Sequence, residues 1–89
     1  MYNITLSKKT KKYIDKQDKV TKRRIKNSLL TLAENPYSQT DNDIKQLKGY
    51  EETFRLRIGD IRVIYEVYNN KLIIHIINIG NRGNIYKNL

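Results

Sequence analysis

Cysteine is missing from the 89 residues, which excludes disulfides and thiolate metal sites. His75 is the one histidine, so there is no catalytic histidine pair, and no metal motif is present. Neither a metal nor another cofactor is expected. Long apolar runs are missing as well: stretches such as Leu72–Ile74 and Ile76–Ile77 are far too short to cross a bilayer. The opening MYNITLSKKTKK lacks the apolar core of a secretory signal. These absences point to a soluble, cytoplasmic protein. No repeat, linker or low-complexity tract breaks the chain, and a single domain over residues 1–89 is expected, too small to bury a ligand-sized cavity cheaply.

Acidic residues are scarce. Nine Asp and Glu stand against eighteen Lys and Arg, giving +9 and a pI near 9.9. A small domain this basic typically meets a polyanion, because each phosphate it neutralises releases condensed counterions. An acidic protein partner satisfies the same charge.

What is present sorts into an α+β pattern. Tyr2–Leu6 alternates as a strand and ends at Ser7, a good helix N-cap. A short basic helix is expected from Lys8 to about Lys16. A second, capped by Asp18 or Thr21, is expected to reach Glu34, with Ile25, Leu29, Leu32 and Ala33 as its buried stripe. Asn35-Pro36 ends it, since a residue before proline avoids the helical region. Residues 37–48 are polar and are expected to be loop. Three strands follow, Thr53–Ile58, Ile61–Tyr68 and Lys71–Ile79, joined by Gly59-Asp60 as a type II′ turn and Asn69-Asn70 as a type I′ turn. The expected order is β-α-α-β-β-β, two N-terminal helices packed on one face of an antiparallel sheet.

Residues 8–26 hold ten basic side chains (Lys8, Lys9, Lys11, Lys12, Lys16, Lys19, Lys22, Arg23, Arg24, Lys26) and two acids. A solvated face explains any one of them. Their density suggests an electrostatic docking surface for RNA or a ribonucleoprotein, with Lys8, Lys9, Lys11, Lys12, Lys22, Arg23 and Lys26 as its expected contacts.

Period-2 alternation sorts the meander into two faces. Phe54, Leu56, Ile58, Ile61, Val63, Tyr65, Val67, Leu72, Ile74 and Ile76 form the apolar face expected under the helices. Arg55, Arg57, Arg62, Ile64, Glu66, Tyr68, Ile73, His75, Ile77 and Ile79 fall on the other, with His75 opposite Ile64. A tight turn at Gly59-Asp60 sets Arg57 against Arg62, and like charges so placed repel. Three guanidiniums sharing one patch either fan into water or wait for an anion, which their planar forks bind bidentately. Ile64, Ile73, Ile77 and Ile79 are too apolar to be left bare on that face.

At this point the residues resemble a known family. The element order, LKG before the meander, FRLRIGDIRVIYEV and NIGNRGNIY together resemble the RelE branch of the RelE/ParE toxin superfamily, over essentially the whole chain. That resemblance implies a ribosome-dependent endoribonuclease that cuts mRNA in the A site and is neutralised by a RelB-like antitoxin wrapped around it. It also implies catalytic roles for Arg55, Arg57, Arg62, Arg82 and Tyr86, of which the register argument assembles the first three independently. The first-strand basic residues are often lysines in this family. Arginine stays protonated, so Arg55 and Arg57 bind charge and do not act as bases. Only three residues follow Tyr86, so no helix is expected beyond it.

With no metal motif, cleavage is expected to use the substrate's own 2′-OH. Arg62 and Arg82 would hold the phosphate, Arg55 and Arg57 would anchor its neighbours or assist the leaving oxygen, and Tyr86 would stack on a base or take the 2′-OH proton. His75 and Glu66 are expected to be structural. Two other readings use the same fold: a ParE-like gyrase inhibitor, against which Arg82 and Tyr86 argue, and a non-catalytic RNA- or ribosome-binding homologue.

Overall fold

Ser7 and Asp18 start the two helices by the same device. Each sits in extended backbone and accepts a hydrogen bond from the amide three residues on, Thr10 N for Ser7 and Thr21 N for Asp18. The computed structural model describes residues 1–37 and 43–81. Strand β1 (Asn3–Leu6) leads into α1 (Lys8–Asp15) and α2 (Lys19–Glu34), followed by β2 (Ile44–Gln46), β3 (Thr53–Ile58), β4 (Ile61–Tyr68) and β5 (Ile73–Asn81). Asn35, extended at φ −154° as its proline neighbour requires, ends α2.

The α+β class and the antiparallel β3-β4-β5 meander are found as expected. The sheet is five-stranded and mixed, in the order β1-β5-β4-β3-β2, because β1 runs parallel to β5. The helices cover one face. Ile25, Leu29, Leu32 and Ala33 of α2 are buried there with Phe54, Leu56, Val63, Tyr65, Ile74 and Ile76. Tyr65 stacks on Phe54 and donates to Pro36 O at 2.7 Å, so the chain leaving α2 is tied to the core, and burial pushes that phenol well above its ordinary pKa. No helix among the described residues is long and apolar enough to cross a membrane.

Several expectations change. Residues 44–46, expected to be loop, form β2 on the edge of β3, where the buried Ile44 fastens them. The 69–70 turn is not type I′. Neither asparagine has positive φ, the loop spans 69–72, and Leu72 takes the left-handed conformation at φ 53°. Leu72 thereby leaves the core face and is 50% exposed. Most consequential is a bulge in β5: Tyr65 pairs with Ile76 but Ile64 pairs with Asn78, leaving Ile77 as the extra residue. The start of α1 holds it in place, since Ser7 N and Thr10 Oγ1 donate to Ile76 O and Ser7 Oγ donates to Ile77 O. Beyond the bulge the alternation inverts, so Ile79 joins the core opposite Val63, and Asn78 and Gly80 take the other face. His75 is moved too and lies opposite Glu66, not Ile64.

Candidate nucleic-acid interface

The turn between β3 and β4 sets the geometry of the face that the helices leave open. Gly59 has φ +59° and Asp60 does not have positive φ, the sign pattern of a type II′ turn. It brings Arg57 directly opposite Arg62. One step along, β2 sets Lys45 opposite Arg55, a second like-charge pair that the sequence does not reveal because so short a strand shows no period. Four cations thus occupy two adjacent rows, and their compensation is thin. Asp43 pairs with Arg57 at 3.2 Å, the one ion pair among the described residues. Arg62 donates to Gly59 O at 3.3 Å.

Arg55 is the unusual member. It is half-buried, and its Nε is shielded from water without a hydrogen-bond partner among the described residues. A buried donor left unpaired costs about 1–3 kcal/mol. Opposite Arg55 lies Ile64, fully buried although it is on this open face, so the apolar strip expected to need a cover is partly closed already. Gly80 lies opposite Arg62, and a Cβ there would meet nothing within 4 Å among the described residues.

The other titratable groups of this face are engaged elsewhere. His75 Nδ1 is 2.7 Å from Thr5 Oγ1. Glu66 accepts from the Tyr68 hydroxyl at 3.2 Å and raises that phenol's pKa by its negative charge. Among the described residues no group of three or more His, Cys, Asp and Glu comes together. The arrangement can bind and polarise an anion. Arg82 and Tyr86 lie outside the described residues. The chain is fixed just before them, where Tyr13 of α1 donates to Asn81 Oδ1 at 2.6 Å.

The helical cations divide into two groups. Lys8, Lys9, Lys11 and Lys12 project from α1 around a buried Thr10, all exposed and none ion-paired among the described residues. Lys22, Arg23 and Lys26 are exposed on α2. Lys22 and Lys26 also rim an apolar groove of about 490 Å³ between α2 and β1, floored by Ile4, Ile14, Ile25 and Leu29 and edged by Leu6 and Leu30. Its lining residues all fall within residues 1–33 but on three separate elements, so only their packing together reveals the groove.

Set beside known proteins, residues 4–86 match the family described as ParE toxin of type II toxin-antitoxin system, parDE. A protein of Methanocaldococcus jannaschii named toxin RelE1 is 36% identical over 87 residues, which span 98% of this chain and 97% of that protein. Among solved structures, the archaeal RelE-RelB complex from Pyrococcus horikoshii is similar at 28% identity and a TM-score of 0.81, covering 92% of this chain and 96% of the matched chain. The intact E. coli RelBE toxin-antitoxin complex, at 20% identity and a TM-score of 0.76, shares the fold over 93% of this chain and 99% of the matched one.

Proposed function

The chain belongs to the RelE/ParE superfamily of type II toxin–antitoxin toxins, and from that premise we propose that it is a ribosome-dependent, metal-independent endoribonuclease of the cytoplasm that cuts mRNA in the A site and so inhibits translation. One observation carries the reading: Arg57 and Arg62 are held face to face by a tight turn, beside a second cationic pair and with one acid for compensation. Repulsion of this kind lowers stability, and such costs concentrate at functional sites.

In the reaction the ribose 2′-OH attacks its own 3′-phosphate in line. The P–O5′ bond breaks, leaving a 2′,3′-cyclic phosphate and a 5′-OH. The proton lost from the 2′-OH and the one gained by the 5′ oxygen balance. Arg62, with Arg82, holds the non-bridging oxygens and favours the added negative charge of the transition state. Arg57 and Arg55 anchor flanking phosphates or assist the leaving oxygen. Tyr86 stacks on a base or accepts the 2′-OH proton. Positioning supplies much of the rate, and the lysines of α1 and α2 dock the protein on the ribosome.

The partner in the resting state is an acidic, RelB-like antitoxin. Relatives crystallised as RelE–RelB complexes support this, as do the net charge of +9 and a lysine-rimmed apolar groove.

Primer extension on a defined mRNA in a purified translation mix tests the reading. Discrete A-site breaks are expected with the wild type, none without ribosomes, and loss of breaks in an Arg82→Ala/Tyr86→Phe double variant. Because the matching family description names ParE, a gyrase supercoiling assay runs in parallel. Inhibition there, without mRNA breaks, overturns the nuclease reading.

A further inference from the structure

Arg24 stands apart from the other helical cations. Lys22 and Lys26 point to the β1 flank of α2, where they rim the groove. Arg24 lies on the opposite flank, toward the end of β3, and its guanidinium packs against the turn that organises the arginine face. A Cβ on Gly59 would sit 2.7 Å from Arg24 Nη2. Gly59 also supplies the carbonyl that receives Arg62. Two guanidiniums from opposite sides of the sheet therefore meet one glycine. Asp60 is the next residue, yet Arg24 has no ion pair or hydrogen-bond partner among the described residues. A guanidinium that served only to fasten the turn would be expected to take its carbonyl or its carboxylate, and Arg24 takes neither.

We propose that Arg24 is a phosphate-binding residue that carries a single RNA strand around the Gly59-Asp60 turn, from the arginine face onto the flank of α2. The inference rests on the reading of that face as an RNA site and extends it by one subsite. The strand crosses the narrow end of the sheet at Gly59, where the Arg24 guanidinium lies against the glycine. Its phosphates pass from Arg57 and Arg62 to Arg24, and the basic helix and the arginine face become one continuous track.

The test is binding of a fluorescent single-stranded RNA, 2′-O-methylated so that it cannot be cleaved, across a salt series without ribosomes. Each phosphate contact to a single strand contributes about 0.7 to the slope of log affinity against log salt. Arg24→Ala is expected to lower that slope by about 0.7 and to weaken binding several-fold at low salt. Arg24→Lys should restore the slope, and Lys71→Ala, an equal loss of charge at the far end of the sheet, should leave it unchanged. Equal slope changes in Arg24→Ala and Lys71→Ala, or no change in Arg24→Ala, overturn the proposal. So does an unchanged slope with a lowered melting temperature, which would make Arg24 a turn-packing residue. A-site breaks measured on the same preparations judge the nuclease reading separately, since the oligonucleotide reports Arg24 whether or not cleavage occurs.

Discussion

Among the described residues, the helix-covered face of the sheet leaves no buried side-chain polar atom without a partner, whereas the open face keeps Arg55 Nε buried and unpaired. The same strands build both faces. On the covered side Tyr65 donates to Pro36 O, and Thr10 is buried with its hydroxyl bonded to Ile76 O. Across the sheet, like charges oppose each other twice. On the proposed function, the cleavage site and the structural core lie on opposite faces of one sheet, and substitutions on the two sides should move different measurements.

The strongest break in that contrast comes at Arg62. Removing one preorganised donor of this kind costs about 10²- to 10³-fold in rate, so Arg62→Ala should reduce A-site cleavage by that factor. Its stability by urea unfolding should stay within about 0.5 kcal/mol of wild type. Arg62→Glu sharpens the contrast, because it replaces repulsion with attraction across the Arg57 pair and should be at least as stable while inactive. A large loss of stability in either variant would mean that the arginine face belongs to the structural core.

Tyr65→Phe makes the opposite change. It leaves the packing volume intact and removes the donor to Pro36 O, which should cost about 1–2 kcal/mol. In a domain of this size that lowers the melting temperature by several degrees. Cleavage per folded molecule should be unchanged, and loss of activity at full stability would contradict the separation of the faces.

How much of this was legible in the sequence follows from how local each signal is. The caps at Ser7 and Asp18, the stripe of α2 and the Arg57–Arg62 pairing depend on residues within one element or one turn, and they are found as expected. The bulge at Ile77 depends on Ser7 and Thr10, about seventy residues away along the chain. Strict alternation therefore carried Ile79 to the wrong face and hid Asn78 and Gly80 from the site. Lys45 was missed because Ile44–Gln46 is too short to show a period, and its strand exists only through pairing with β3. For Arg24, neither its helical position nor its charge distinguished it from its neighbours; only contact with Gly59 does so.

The hairpin at 69–72 yields a smaller effect at the end of the sheet away from the Gly59 turn. Leu72 sits at φ 53° with half of its surface exposed, a conformation that costs a non-glycine residue about 1–2 kcal/mol. Leu72→Gly relieves that strain and adds about 0.5–1 kcal/mol of backbone entropy to be lost on folding. A net gain of about 0.5 kcal/mol is expected in urea unfolding, with cleavage unaffected. A destabilised variant would show that the leucine side chain contributes more by contact than its backbone costs.

The finest distinction is at Asp18, where the covered side satisfies even an exposed helix end. Its carboxylate accepts from Thr21 N, and that backbone hydrogen bond holds its pKa below the ordinary value of 3.8. A lowered folded pKa means that the ionised form is favoured by folding. The contribution is therefore complete above about pH 4 and is lost as the pH falls through the folded value. Asn caps a helix about as well as Asp but does not titrate. Urea unfolding from pH 7 down to pH 3 should show wild type and Asp18→Asn keeping a constant difference above pH 5, with wild type losing ground below pH 4. Asp18→Ala should be the least stable of the three at neutral pH. Parallel curves for wild type and Asp18→Asn down to pH 3 would mean that the cap acts through geometry and not through charge.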